Sequence, residues 1–251
     1  MKRNGTYQER NYRNQVHGGR MPAAFRVVVK ETDLFVRAEA NLADITRELV
    51  LQHRGYLEAY IRQHRLFSTT LSPWTVQGPA PGIVREMARA GQAAGVGPMA
   101  AVAGAIAEHV GRDLLSHTSE VIVENGGDLF IKASQPVTVG IFANQSPLSL
   151  RTGLRIEAGS NPVAVCTSSG TVGHSLSLGR ADAVCVVSSS CSLADAVATS
   201  VGNRIQKAGD IGAGIEIGSN IKGVEGLVVI VADKIGMWGN IEIVPLQEKK
   251  G

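Results

Sequence analysis

Aromatic side chains and cysteines are scarce in this chain of 251 residues. Phe, Trp and Tyr together make up 4% of it, and its three cysteines, Cys166, Cys185 and Cys191, include no Cys-x-x-Cys pair. An odd number of cysteines in small or apolar surroundings argues against a disulfide framework and a zinc site, and favours buried, reduced thiols. We therefore expect a protein of a reducing compartment, the cytoplasm.

Long apolar runs are also missing. No run approaches the roughly 20 residues that a membrane helix requires, and the first twenty residues lack the apolar core of a signal peptide. Neither a membrane span nor a secretory leader is expected. The hydrophobic content of 44% is nevertheless sufficient for a large core, and 29 glycines indicate close backbone packing and tight turns.

A strong charge of one sign is absent from most of the chain. The formal charge is +3, and the first twenty residues contribute more than this surplus, since only Glu9 opposes Lys2, Arg3, Arg10, Arg13 and Arg20. The remainder is close to neutral, which excludes a broad basic surface for nucleic acid. We interpret residues 1–20 as a basic, solvated arm with a tendency to disorder, and residues 21–251 as a single domain.

The hydrophobic periodicity predicts an α+β fold with mixed, mostly antiparallel sheets and helices inserted between them in blocks. Two hairpins are expected, one over 25–38 at a sheet edge and one over 121–131. Helices are expected over 41–61 with Asn41 as cap, over 82–94 ending at Gly95, over 97–115, and from about Ser192. Further strands are expected over 136–142, 149–159, 161–167 and twice within 228–244, whereas 209–226 has the composition of a loop.

The segment ADAVATS, residues 194–200, is the first candidate site. On a helix, Asp195 and Thr199 are four residues apart and present their oxygens on one face, where they could bind a hard cation such as Mg²⁺. The alternative is a capping box between Ser192 and Asp195, in which the carboxylate serves only its own helix end. The sequence leaves both interpretations open.

Two glycine-containing turns form the second candidate site. Backbone N–H groups and hydroxyls in the turn TSSG could bind phosphate oxygens through Thr167, Ser168, Ser169 and Gly170. The turn in ENGGD offers bare backbone to a flat ligand, with Asn125, Gly126, Gly127 and Asp128. Each turn is also compatible with an ordinary structural role.

His174 follows the TSSG turn and is a candidate proton carrier or phosphate contact. A triad of Ser168 or Ser169 with His174 and Asp195 can be drawn, but no GxSxG elbow supports it. GAGIEIG, residues 212–218, lacks the spacing and context of a dinucleotide-binding turn.

The order of these motifs carries a resemblance that none of them carries alone. The segment GAIA at 104–107, ENGGD at 124–128, TSSG at 167–170 and ADAVATS at 194–200 together resemble the ApbE family, the FAD-dependent protein FMN transferases. The resemblance covers about residues 80–205. It implies a mixed α and β domain in which FAD binds beside Mg²⁺.

The resemblance also implies roles for individual residues. Asp195 and Thr199 would bind the metal, together with a backbone carbonyl near Ala105. The glycine pair and the TSSG turn would line the flavin and phosphate cleft, and His174 would take the catalytic role of the family's histidine. The implied partners are a flavin nucleotide, or another phosphate-bearing small molecule, and an acceptor protein whose hydroxyl receives FMN.

The chain departs from the family pattern at two places. Glu108 and His109 follow GAIA where the family has lysine and glycine, and the DPxTG motif after the family's histidine is missing. These departures keep two alternatives open: a non-catalytic or differently specific ligand-binding protein, and a structural subunit of an assembly. The sequence does not predict the oligomeric state.

Overall fold

The computed structural model describes residues 16–18, 21–170 and 177–246. In chain order the strands are β1 (Val16–Gly18), β2 (Ala23–Val29), β3 (Thr32–Ala38), β4 (Val121–Asn125), β5 (Asp128–Lys132), β6 (Val137–Gly140), β7 (Thr152–Ile156), β8 (Val163–Ser168), β9 (Ala183–Ser188), β10 (Val224–Val231), β11 (Lys234–Gly239) and β12 (Glu242–Pro245). The α-helices are α1 (Ala43–Gln63), α2 (Gly82–Ala94), α3 (Val102–Leu114), α4 (Cys191–Gly202) and α5 (Ile211–Ser219). Short 3₁₀ turns occur at Arg65–Ser68, Pro98–Ala101 and Ala208–Asp210.

The strands form two antiparallel sheets. The larger has eight strands in the order β11-β10-β9-β8-β5-β4-β3-β2, and the smaller has four in the order β1-β6-β7-β12. Every pair of neighbouring strands in both sheets is antiparallel. The predicted α+β class is therefore confirmed.

Three layers enclose two hydrophobic cores. One core lies between the helices and one face of the large sheet, and it contains Leu34, Met87, Val110, Val197 and Leu227. The other lies between the opposite face of that sheet and the small sheet, and it contains Ile131, Leu154 and Val228. Because the central strands are covered on both sides, all residues of β4 and β9 are buried, which explains the apolar runs Val121–Val123 and Ala183–Val187.

The two predicted hairpins and the four predicted helices are present. β2 and β3 form the edge hairpin, and β4 and β5 are joined by Gly126 and Gly127, whose φ angles are 67° and 113°. α1 continues through Gly55, but its N-cap is Leu42 and not the predicted Asn41, whose Oδ1 accepts a hydrogen bond from the Ala43 N–H at 3.0 Å from one position earlier. α2 ends at Gly95 in the left-handed conformation, as expected for a helix C-terminus.

Two expectations for the C-terminal part are wrong. The segment predicted as a loop over 209–226 contains α5, in which Gly214 and Gly218 lie against the side chains of Ile205 and Leu227. These glycines permit close helix packing. The high glycine content of the segment therefore did not indicate a loop. The last segment forms three strands instead of two, because β12 leaves the large sheet and pairs with β7.

The N-terminal arm contributes one strand to the described structure. β1, at residues 16–18, pairs with β6 although it lies within the segment interpreted as a solvated arm. The rest of the arm, residues 1–15 and 19–20, lies outside the described residues. The three cysteines are free and buried, as predicted.

Across the ranges that the structure describes, no single helix has the length and apolarity to cross a membrane. Gly82–Ala94 and Pro98–Leu114 reach those limits only as a pair, and the two are bent by 106°.

Candidate functional site

A cleft of ≈ 850 Å³ lies beside the β4–β5 turn, the end of β8 and one side of α4. The predicted residues among those that line it are Asn125, Gly126, Gly127, Asp128, Thr167, Ser168, Ser169, Asp195 and Thr199. The fold therefore brings the three motifs to one cavity. Gly170 is not part of this lining. Its N–H donates to the carbonyl of Ala181 at 2.9 Å and is therefore used within the protein.

Asp195 does not cap its own helix. The N-cap of α4 is Ser190, whose side chain accepts a hydrogen bond from the Leu193 N–H. The carboxylate of Asp195 instead accepts a hydrogen bond from the N–H of Gly104 at 2.9 Å, so it satisfies one of the free donors in the first turn of α3. The alternative of a Ser192–Asp195 capping box is wrong.

Asp128 is the second acid of the site. It follows the glycine pair at the start of β5, is buried, and its Oδ1 accepts a hydrogen bond from the Thr167 N–H at 3.3 Å. Burial raises the pKa of Asp128 well above its usual range, and the nearby charge of Asp195 raises it further. The two carboxyl groups therefore disfavour simultaneous ionisation.

Burial also raises the pKa of Asp195, to about 7, although the residue stays partly exposed at the cleft wall. Hydrogen bonds from the backbone of Gly104 and from Asp128 act in the opposite direction. Two acids that share a hydrogen bond in a partly closed cleft titrate as a pair. Such a pair accepts either a proton or a cation.

The other oxygen donors belong to two neighbouring elements. Thr199 lies one turn after Asp195 on α4 and lines the same wall. The GAIA segment itself does not line the cleft, but Ala103, the residue before it, does, and the Ala103 carbonyl accepts a hydrogen bond from Asn125 Nδ2 at 3.0 Å. Ala105, which was expected to supply a carbonyl, is fully buried in α3 and does not line the cleft.

No group of three or more His, Cys, Asp or Glu side chains suited to a metal occurs among the residues whose structure is described. A cation in this cleft would therefore depend on two carboxylates, a hydroxyl and backbone or ligand oxygens. That donor set suits Mg²⁺, which is commonly held by one or two carboxylates together with phosphate oxygens.

The two turns present different surfaces to the cleft. An added Cβ at Gly126 would meet nothing within 4 Å, so this backbone is open. The N–H of Gly127 donates to Glu124 Oε1 at 2.9 Å. In the TSSG turn, the Thr167 hydroxyl lies 3.1 Å from the Cys185 sulfur, while Ser168 and Ser169 line the cleft. The turn thus places both serines at the surface of the cleft.

Glu108 neither blocks the cleft nor joins it. Its side chain is 1% exposed and forms an ion pair with Arg112. Its Oε2 accepts hydrogen bonds from the Ser192 N–H and the Ser190 hydroxyl, both at 3.2 Å. Glu108 therefore anchors the N-terminus of α4, where a negative charge is favourable. The neighbouring His109 pairs with Glu86 at 2.9 Å.

His174 lies outside the described residues, as does the rest of 171–176. Its predicted role as proton carrier, and the triad that includes it, stay predictions. The GAGIEIG segment lies in α5, which follows a 3₁₀ turn and not a strand. It therefore lacks the context of a dinucleotide-binding turn, as inferred from the sequence.

Several cleft residues were missed by sequence reasoning. They comprise an apolar group and a polar pair at the end of α4: Leu71, Met99, Val139, Phe142, Asn203 and Arg204. The apolar residues come from separate elements without a common motif. Arg204 had a detectable signal, because it is a positive charge five residues after Thr199 of the ADAVATS segment.

Comparison with solved structures gives the fold class of the protein. The structure is similar to the apo form of the flavinyl transferase ApbE from Pseudomonas stutzeri, with a TM-score of 0.57 and 14% identity over 86% of this chain and 93% of that one. It is also similar to the flavin transferase ApbE from Vibrio cholerae, with a TM-score of 0.54 and 13% identity over 86% and 96% of the two chains. The fold is that of ApbE proteins.

Sequence comparison gives the family. The model of the family described as AbpE bacteria matches residues 13–215, and the chain belongs to this family as a divergent ApbE-like member. It is 40% identical over 222 residues to a UPF0280 protein of Methanocaldococcus jannaschii, covering 86% of this chain and 90% of the relative. It is 39% identical over 231 residues to a UPF0280 protein of Methanococcus vannielii, covering 90% and 94%.

Proposed function

We propose that the protein binds FAD together with Mg²⁺ and transfers FMN to a hydroxyl of an acceptor protein. The observation that carries this proposal is the acid pair of buried Asp128 and partly exposed Asp195, which lines one cleft together with Thr199 and the open backbone of Gly126. The ApbE fold and the family are consistent with it.

The donor set fits a divalent cation. Asp195, Asp128 and Thr199 supply hard oxygen ligands, and the raised pKa values of both acids reflect the cost of burying carboxylates together. A cation would offset this cost and keep the two carboxylates ionised. When bound, Mg²⁺ supplies Lewis-acid polarisation of the pyrophosphate.

The cleft also suits a flavin nucleotide in size and surface. Its volume of ≈ 850 Å³ is within the range of about 300–1,000 Å³ that small-molecule sites occupy. Phe142, Val139 and Met99 form an apolar part of the wall, and Gly126 presents backbone without a side chain. A flat ring system could contact this apolar part while Ser168 and Ser169 bind phosphate oxygens.

The transfer reaction balances as a phosphoryl substitution. The oxygen of an acceptor threonine or serine forms a bond to the phosphorus of the FMN half, the bond to the bridging oxygen breaks, and AMP leaves with that oxygen. The hydroxyl proton passes to a base, for which His174 is our candidate from the sequence. The chain's other residues hold the pyrophosphate and orient it for attack.

The direct test is to incubate the protein with FAD, Mg²⁺ and threonine-containing acceptor peptides. We expect release of AMP, measured by chromatography. We also expect the mass of an acceptor peptide to increase by the mass of the transferred flavin. Failure to bind FAD in the presence of Mg²⁺ would overturn the proposal. The Asp195→Asn variant is the matched control, because the amide keeps the side-chain shape and removes the ionisable group.

Glu108 favours a second candidate function, a phosphate-ligand-binding protein without transferase activity. This acid stands where the resemblance has lysine and is committed to the start of α4. In that case FAD raises the melting temperature while no AMP forms. Gly127→Val should abolish the shift, because φ at this position is 113° and a β-branched residue is strained there. If no nucleotide raises the melting temperature, this function is excluded.

A further inference from the structure

Charge is distributed unevenly around the cleft. Four carboxylates line it, from Glu31, Glu124, Asp128 and Asp195, and Arg204 is the only positively charged residue among the described residues of its lining. An anionic ligand would be repelled by these acids unless positive charge faced it. A cation can supply this at the acid pair, and Arg204 is available elsewhere in the cleft.

Among the residues that the structure describes, only one end of the Arg204 guanidinium is hydrogen-bonded. Its Nη1 donates to the carbonyl oxygen and to the hydroxyl of Ser200, both at 2.7 Å. Ser200 is fully buried, and its hydroxyl donates to the carbonyl of Ala94 at 2.6 Å. The described part of the chain provides no acidic partner for Arg204, and the N–H groups on Nε and Nη2 remain available for a ligand.

The TSSG turn lies at the same end of the cleft as Arg204. An added Cβ at Gly202, the last residue of α4, would be 3.7 Å from the Ser168 hydroxyl. Asn203 continues the chain with its N–H on the Thr199 carbonyl at 3.0 Å. Ser168, Thr199 and Arg204 therefore border one region. A helix C-terminus carries partial negative charge, so a phosphate in this region requires a cationic side chain.

We propose that Arg204 binds a phosphate group of the ligand with its free guanidinium edge, beside the hydroxyls of Ser168 and Ser169. This inference rests on the proposed function for the choice of flavin nucleotides, but the chemistry is that of any phosphate-bearing ligand. A planar guanidinium fork matches two phosphate oxygens, and Ser200 fixes its orientation before the ligand arrives.

The test compares wild type with Arg204→Gln, Arg204→Lys and the control Arg180→Gln. Arg180 is exposed and does not line the cleft, so its substitution makes the same change in net charge elsewhere. Dissociation constants are measured by titration calorimetry in Mg²⁺ for FAD, FMN, riboflavin and inorganic pyrophosphate. Thermal unfolding without ligand verifies that each variant folds.

Arg204→Gln is expected to weaken FMN, FAD and pyrophosphate about 10- to 100-fold, the loss typical of a charge-assisted hydrogen bond. Riboflavin, which lacks phosphate, should bind as it does to wild type. Arg204→Lys should restore part of the affinity, because lysine keeps the charge but not the fork. Added salt should weaken phosphate binding more steeply in wild type than in Arg204→Gln.

The outcomes separate the two proposals. If wild type binds pyrophosphate in an Arg204-dependent way but binds no flavin, the proposed function fails and the role of Arg204 stands. If FAD binds equally to wild type and Arg204→Gln, the role of Arg204 is overturned and the proposed function survives. Equal loss of riboflavin and FMN, or no binding of any probe to wild type, also overturns it.

Discussion

Asp195 accepts a hydrogen bond from the backbone N–H of Gly104 at 2.9 Å, across 91 positions of the sequence. This contact requires glycine, because an added Cβ at residue 104 would lie 2.4 Å from the carbonyl oxygen of Cys191 and 2.9 Å from the Asp195 Cβ. The N-terminal turn of α3 therefore reaches the acid on α4 directly. The position of Asp195 in the cleft depends on this close approach of two helices.

The first prediction is that Gly104→Ala destabilises the protein and disturbs the site. The added methyl group meets backbone atoms that cannot rotate away, so α3 and α4 must separate. Overpacking of this kind costs about 1–3 kcal/mol. Denaturant unfolding should show a lower midpoint, and any response of the melting temperature to Mg²⁺ and FAD should weaken.

Gly55→Ala is the matched control. Gly55 lies inside α1, and an added Cβ there would meet nothing within 4 Å. Alanine in an exposed helix interior is favoured over glycine by about 0.5–1 kcal/mol. This variant should be slightly more stable than wild type. Equal effects of the two substitutions would contradict the assignment of Gly104 to a close contact.

The second prediction concerns Asp195→Asn in the absence of divalent cations. The pKa of Asp195 in the folded chain is about 7, against an ordinary value of 3.8. At pH values between about 4 and about 7, Asp195 is protonated in the folded protein and ionised in the unfolded chain. The contribution of Asp195 to the free energy of unfolding therefore falls as pH rises through this range. Asparagine removes this dependence.

Asp195→Asn should therefore be more stable than wild type in EDTA at pH 8, by on the order of 2 kcal/mol, with a smaller difference at pH 5. Guanidinium unfolding at both pH values measures this. Mg²⁺ should stabilise wild type and leave the variant unchanged, because the variant lacks one carboxylate of the proposed cation site. A variant that is less stable than wild type at pH 8 would contradict the raised pKa.

The sequence predicted the motifs of the site better than their contacts. Asp195 and Thr199 are recognisable from their spacing within one helix, and Gly126 and Gly127 from the hairpin around them. The partnership of Asp195 with Gly104 is not local, since it depends on how α3 packs on α4. The role of Glu108 as an anchor for α4 is hidden for the same reason. Phe142 enters the cleft from a segment that carries no motif, and the only sequence signal for Arg204 was its charge shortly after the ADAVATS segment.

The third prediction concerns a histidine outside the cleft. His53 is buried in α1, with its Nε2 2.7 Å from Asp113 Oδ2 and its ring centroid 5.0 Å from that of His109. Burial lowers the pKa of His53, the hydrogen bond with Asp113 raises it, and the charge of His109 lowers it again. Glu86, which pairs with His109, also faces this group.

Because the folded protein resists protonation of His53, its contribution to stability decreases as pH falls below 6.5, where the unfolded histidine gains a proton. His53→Gln should cost about 1 kcal/mol at pH 7.5 through the weakened hydrogen bond to Asp113. At pH 5.5 the difference from wild type should shrink or reverse. His117→Gln, at an exposed position, is the control for the loss of a histidine outside this buried group. A constant difference at both pH values would contradict the prediction.

The last prediction concerns Glu108, where the chain departs from the ApbE pattern. Glu108→Lys would remove the acceptor for the Ser192 N–H and the Ser190 hydroxyl, and would place a second positive charge beside Arg112. It would also put that charge at the positive end of α4. Since the side chain at position 108 is 1% exposed while that of Arg112 is 50% exposed, the new lysine charge would be the poorly solvated one, and a loss of about 3–5 kcal/mol is expected.

Glu108→Gln separates charge from hydrogen bonding at this position. The amide keeps one acceptor for the N-terminus of α4 and loses the ion pair with Arg112, so a cost of about 1–2 kcal/mol is expected. Urea unfolding of both variants gives the comparison. If Glu108→Lys were as stable as wild type, lysine could occupy this position without loss of the α4 anchor. The acid would then be interchangeable with the lysine of the ApbE pattern, and its packing would not explain the departure.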